Sequence, residues 1–178
     1  MSKKLLYNSF MILAVLGVIV SGFLLYEHYS ETGTEFCKFG KNFDCNIVNK
    51  SPYANLDGIF YMLVIDFKVN MPIPNIPIPV AGMGLLMILL LMWAMYNVYY
   101  NKISLKVSPE KYLKVIRYSL LTSLLFAAYL VFVEVRLLKR YCIFCIALDV
   151  ILVLLTIIAF KVKTNSVDST RGVEHETN

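Results

Sequence analysis

Residues 140–145 read Arg-Tyr-Cys-Ile-Phe-Cys and run straight into the apolar stretch IALDVILVLLTIIAF. Two residues separate Cys142 from Cys145, so on a helix the thiols share a face and have the spacing of a redox C-x-x-C. In the first turn of a helix, unpaired backbone N–H groups and the helix dipole favour an anion, and Lys139 and Arg140 add positive charge. These effects favour thiolate, most of all at Cys142, the sulfur nearer the helix end. Apolar burial acts the other way and should weigh more on Cys145. The expectation is an exposed attacking thiol at Cys142 beside a buried one at Cys145.

A second pair, Cys37 and Cys45, lies in EFCKFGKNFDCN with seven residues between the thiols. Gly40 and Asn42 are turn formers, and the spacing permits a disulfide-closed hairpin. Thiol–disulfide exchange needs only in-line approach of a thiolate to a disulfide sulfur, so two pairs on one face suffice for a relay. The spacing matches common zinc sites poorly, and no metal is expected. Two passive disulfides are the other alternative, but a bridge between residues i and i+3 of one helix restrains almost nothing.

The elements that carry these thiols are membrane spans. The chain has 178 residues, of which 58% are hydrophobic and 16% charged, with a mean hydropathy of +0.66. A soluble domain is roughly half apolar and a quarter charged. Spanning the hydrocarbon takes about 20 apolar residues. Helices are expected at about 7–26, 78–100, 118–138 and 142–160, making an all-α bundle of four transmembrane helices within a 1–163 domain. The first run is too long for a cleaved signal and lacks a small-residue cleavage site, so it reads as a retained helix. Residues 164–178 read as a disordered cytoplasmic tail.

With four spans, the loop after the first helix and the turn before the last emerge on the same face, whichever way the bundle inserts. Cys37 and Cys45 therefore share a side with Cys142 and Cys145. Ten Lys and Arg residues fall at the two termini and in the connection between the second and third helices, against seven on the other side. That bias puts both termini in the cytoplasm and the cysteines outside, with inversion as the alternative. The formal charge of +5 comes from residues that flank apolar runs, which fits a membrane surface and not nucleic acid.

The loop from 27 to 77 forms an extramembrane, cysteine-bearing cap. Its patch IFYMLVIDF, residues 59–67, is too short to span and is expected to lie in the interface. MPIPNIPIPV follows, stiffened by Pro72, Pro74, Pro77 and Pro79 into either a lid or a linker. Glu134 and Arg136 are expected to snorkel to the headgroups. Trp93, Tyr96, Tyr99 and Tyr100 fit an aromatic belt, and His28 is a lone interfacial histidine.

CKFGKNFDC, then NIVNKSPYANLDGI, then YCIFC opening the last of four helices resembles the vitamin K epoxide reductase family, its prokaryotic members in particular. The resemblance covers most of residues 7–160. It implies that Cys145 reduces a quinone of the ubiquinone or menaquinone type and that Cys142 is its partner. It further implies that Cys45 exchanges with Cys142 and that Cys37 meets an external thioredoxin-like redox protein. Ser51 matches a Ser/Thr position of the family; its alternative is a loop hydroxyl capping a turn.

Two departures bear on the acceptor. Asp149 stands where vertebrate enzymes have a Tyr against the quinone, and an ionisable group inside a span is a functional candidate. It is expected to hydrogen-bond the quinone or relay a proton, or else to pair with Arg136. The Asn that vertebrates place beside the quinone has only Asn75 as a counterpart, and FYMLVIDFKVNMPIPN is inserted there. Both departures favour ordinary quinone reduction over epoxide reduction. The function expected is a quinone-dependent membrane thiol oxidoreductase that supports disulfide formation. An epoxide reductase and a non-enzymatic four-span protein with structural disulfides are the alternatives.

Overall fold

The computed structural model describes residues 3–30, 38–39, 43–57, 78–100 and 108–162. The protein is an α-helical membrane bundle in which, among the described residues, four helices are long and apolar enough to cross a bilayer. They are α1 (Lys3–Tyr29), α3 (Val80–Tyr99), α4 (Pro109–Val133) and α5 (Ile143–Lys161). A short helix, α2 (Cys45–Asn49), lies between α1 and α3. The first helix packs on α3 and α5, and α4 packs on the same two, so the helices form a four-cornered bundle with antiparallel neighbours.

Within each apolar window only 22–28% of the residues are buried in the protein. Most of the apolar surface therefore faces outward. Ile146, Val150, Val153, Leu154 and Ile157 of α5 are all exposed, which suits lipid and would make a water-soluble protein aggregate.

The inward face of α1 follows a helical period: Leu6, Phe10, Ala14, Gly17, Ser21 and Leu24 are buried. Small residues in the middle of that stripe let neighbouring backbones approach, as membrane helix packing requires. A methyl group at Gly17 would lie 3.0 Å from Ile88 of α3 and 3.5 Å from Ile151 of α5. Phe10, Ile88, Met95, Ile116, Leu120 and Leu155 fill the core between the four helices.

Helix α4 begins at Pro109, with Ser108 at its cap, nine residues ahead of the expected 118. Lys111, Lys114 and Arg117 made this stretch resemble a polar connection. Tyr112, Leu113, Ile116 and Leu120 nevertheless form a continuous buried face, which carries the helix past the apolar span. Helix α1 likewise extends beyond 7–26 at both ends.

At the end opposite the cysteines, Tyr7 stacks on Tyr99 with ring centroids 4.0 Å apart, and Tyr96 and Tyr100 pack at 4.6 Å. Trp93 meets Tyr112 edge-on at 5.6 Å. These rings form the aromatic border expected at a membrane interface. The patch at 59–67, Cys37, Asn75, most of the proline-rich segment and residues 163–178 lie outside the described residues.

Candidate active site

The chain returns from α4 to α5 through an unusual turn. The last turn of α4 widens into a π-helical segment, Glu134–Leu138, and Lys139 adopts a left-handed conformation with φ of 50°. A non-glycine residue pays about 1 kcal/mol or more for that conformation, so the turn must be held by other contacts. Glu134 supplies them. Its carbonyl accepts the N–H groups of Lys139 and Arg140, and its side-chain Oε2 accepts the N–H of Cys142 at 3.1 Å. Glu134 is 4% exposed, so it is buried in the site and does not reach to the headgroups. Arg136, by contrast, is exposed.

Cys142 is the N-cap of α5 and precedes its first turn. Its Sγ accepts the Cys145 N–H at 3.2 Å, one of the backbone donors that a helix start leaves unpaired. Cys142 and Cys145 form a disulfide across a Cα–Cα distance of 5.1 Å. Their exposure is the reverse of the expectation. Cys142 is fully buried and Cys145 is half-buried. Because a cap residue stands outside the helical cylinder, it can be covered by whatever packs over the helix end, and here α2 provides that cover.

Two short strands lead into α2. β1 (Lys38–Phe39) pairs antiparallel with β2 (Phe43–Asp44). The strand pair is joined to the C-x-x-C: the Asp44 N–H donates to the Tyr141 carbonyl at 3.1 Å, and the Phe43 and Tyr141 rings lie 5.6 Å apart. Asp44 caps α2, its Oδ1 accepting the Asn46 and Ile47 N–H groups at 3.1 and 3.2 Å. The first residue of that helix is Cys45, a fully buried free thiol.

Cys45 and Cys142 belong to one buried cluster with Leu24 and Val48, against which Cys145, Phe23, Phe144 and Ala81 pack. Phe23 and Phe144, from α1 and α5, lie 4.7 Å apart and close the cluster on one side. A third sulfur from a distant part of the chain thus lies against the C-x-x-C. Buried polar bonds hold α2 there. Asn49 Nδ2 donates to the Leu24 carbonyl at 2.6 Å, and His28 Nδ1 donates to the Asn49 carbonyl at 2.7 Å. Lys50 donates to the Ser30 carbonyl. His28 therefore serves as a fastener for α2.

Ser51 is buried, and its hydroxyl donates to the Val48 carbonyl at 2.7 Å, closing the turn that ends α2. Asp149 is half-buried on α5, four residues beyond Cys145 and so on the same side of the helix. Among the described residues no Lys or Arg pairs with it. The Asp149 and Glu134 carboxylates are instead within electrostatic range of each other. Among the described residues no group of three His, Cys, Asp or Glu side chains could hold a metal ion.

The family model for the vitamin K epoxide reductase family matches residues 9–160. The chain belongs to that family. A search of curated proteins returned no match. Family membership makes the protein a membrane disulfide oxidoreductase of the quinone-linked kind in general, and the chain holds a Cys142–Cys145 disulfide.

Reasoning from the sequence sent Glu134 to the headgroups and did not single out Asp44 or Asn49. The signal for Glu134 was present as a carboxylate in an apolar span, eight residues before Cys142. Asp44 and Asn49 looked like ordinary loop residues because their partners, backbone groups 2–25 residues away, follow only from the fold.

Proposed function

We propose that the protein carries electrons from a thioredoxin-like partner, through Cys37/Cys45 and then Cys142/Cys145, to a ubiquinone- or menaquinone-type acceptor. The partner's two thiols become a disulfide and the quinone becomes a quinol, so turnover supports disulfide formation in exported proteins. The termini lie in the cytoplasm and the cysteines on the extracytoplasmic side.

The observation that carries this reading is the buried free thiol of Cys45 in one apolar cluster with the Cys142–Cys145 disulfide. Cys45 thiolate attacks the Cys142 sulfur, the Cys142–Cys145 bond breaks, and Cys145 leaves as a thiolate. Cys37 then resolves the Cys45–Cys142 bond, and the reduced C-x-x-C passes two electrons to the quinone. Cys145, the more exposed sulfur of the pair, is the one that faces the acceptor. Asp149, on the same side of α5, hydrogen-bonds the quinone or relays a proton. Asn75 is a further candidate contact, and Ser51 acts first by holding the turn behind Cys45.

The deciding experiment supplies purified protein with reduced thioredoxin-like donor and either a quinone or a quinone epoxide. Quinol formation is expected with the quinone; turnover on the epoxide alone would overturn the acceptor assignment. In Cys37→Ala protein, which lacks the resolving thiol, a Cys45–Cys142 mixed disulfide should accumulate and be visible by peptide mass mapping, whereas Cys145→Ala protein, with no disulfide for Cys45 to attack, should oxidise no thiols. Undiminished thiol oxidation in that variant would leave only a passive four-span protein. Asp149→Leu should weaken quinone affinity or slow its reduction about tenfold or more; no change in either would make Asp149 structural. Labelling intact cells with a membrane-impermeant thiol reagent reports sidedness.

A further inference from the structure

The relay described above makes no use of Glu134, yet that carboxylate is hydrogen-bonded to the backbone of Cys142, one of the two cysteines of the C-x-x-C. The Glu134 backbone carbonyl already secures the turn by accepting from Lys139 and Arg140. The side chain, buried at the end of an apolar span, is bonded to Cys142, the residue whose sulfur must change partners. A carboxylate in such surroundings is expensive to keep unless it has work to do. Among the described residues no Lys or Arg forms an ion pair with it, although Arg136, Lys139 and Arg140 are neighbours in sequence.

We propose that Glu134 accepts the proton of the Cys142 thiol when the Cys142–Cys145 bond closes. The inference rests on the quinone-linked relay proposed above and adds to it the path of one proton. Closing the bond converts two thiols to a disulfide and releases two electrons and two protons. The Cys142 thiol gives its proton to the Glu134 carboxylate, and its sulfur bonds to the Cys145 sulfur. The electron pair passes to the quinone, which becomes quinol by taking the Cys145 proton and the proton that Glu134 returns. Asp149 lies within electrostatic range of Glu134, on the Cys145 side of α5, and stands on the return route.

The elements around Glu134 carry other titratable or charged groups. On α4 and the turn these are Arg136, Lys139 and Arg140; from α2 and its cap, Asp44, Cys45 and Lys50; from α5, Cys142, Cys145 and Asp149. Asp44 is engaged by the α2 backbone, and Lys50 by the Ser30 carbonyl. Of the carboxylates, Glu134 alone is bonded to Cys142.

The test uses full-length protein lacking the loop thiols (Cys37→Ala, Cys45→Ala), so that one dithiol is followed. Reduced protein is mixed with quinone in one series and with diamide, a soluble thiol oxidant, in another, and bond closure is timed by acid quench and mass analysis. Glu134→Gln keeps an oxygen that can accept the Cys142 N–H but cannot take up a proton. Closure should slow about tenfold to a hundredfold near neutral pH in both series, and the deficit should shrink as the pH rises and the thiol loses its proton unaided. Glu134→Asp, which restores a carboxylate, should recover part of the rate. A Glu134→Gln protein that closes at the parent rate across the pH range, with either oxidant, overturns the proposal. So does an equal loss at every pH that Glu134→Asp does not relieve, because that is the mark of a structural role. Should Glu134→Gln fail to fold, the Glu134→Asp pH profile decides alone, and a profile superimposable on the parent's counts against proton transfer. If the parent closes with diamide but forms no quinol, the quinone-linked reading fails and the Glu134 assignment is judged on the diamide series.

Discussion

At one end of α5 the cap is a sulfur atom; at the other it is a guanidinium. The Cys142 Sγ takes the Cys145 N–H at the start, while Arg117 of α4 donates to the Ala159 and Val162 carbonyls at 3.1 and 2.8 Å at the finish. Arg117 also lies over the Phe160 ring, 5.3 Å from its centroid. Both ends obey the same requirement, that unpaired backbone groups in or near a membrane must find partners. Arg117 meets it with a permanently charged donor that also complements the negative end of the helix dipole. Cys142 meets it with a sulfur that is also bonded to Cys145, and in the relay proposed above that bond opens and closes. The first arrangement is built to stay; the second sits where small changes in the sulfur alter the local structure. On the proposed relay, stability and chemistry fall at opposite ends of one helix.

The largest expected effect is at the sulfur end. Cys45→Ser should abolish partner-driven quinol formation, followed by absorbance, while leaving the bundle's thermal unfolding near the parent's. Activity retained in that variant would remove Cys45 from the path and dissolve the functional side of the contrast. Arg117→Ala should do the reverse. Losing charged hydrogen bonds should cost about 1.5–3 kcal/mol of stability in denaturant titration, with the rate per folded molecule unchanged. A selective loss of activity without destabilisation would show that the far end is also functional. The smallest effect belongs to Ser51→Ala, which deletes a neutral bond in the turn behind Cys45 and should cost about 1 kcal/mol. A loss of quinone affinity beyond that stability cost would bring Ser51 into the binding site.

The spans were legible because each is a predominantly apolar run of about 20 residues. The common end of Cys45 and the C-x-x-C followed from counting four spans. Exposure of individual groups was not legible. Cys142 was expected to be the open thiol, but its place at the cap lets α2 cover it, and Cys145 is left half-buried on the helix surface. Glu134 read as a residue near a membrane boundary, where long charged side chains ordinarily reach water. Its burial depends on a π-turn and a left-handed Lys139, neither of which has a sequence pattern of its own.

The sequence by itself determined the membrane class, the four apolar spans, the family and the meeting of Cys45 with the C-x-x-C at one end of the bundle, since these follow from apolar length, motif order and parity. Only the tertiary structure decided which sulfur is covered, which carboxylate is bonded to Cys142, and how α2 is fastened by Asn49 and His28. Those facts depend on short polar bonds between segments up to 25 residues apart. Such bonds are selected by packing, after the helices have already formed.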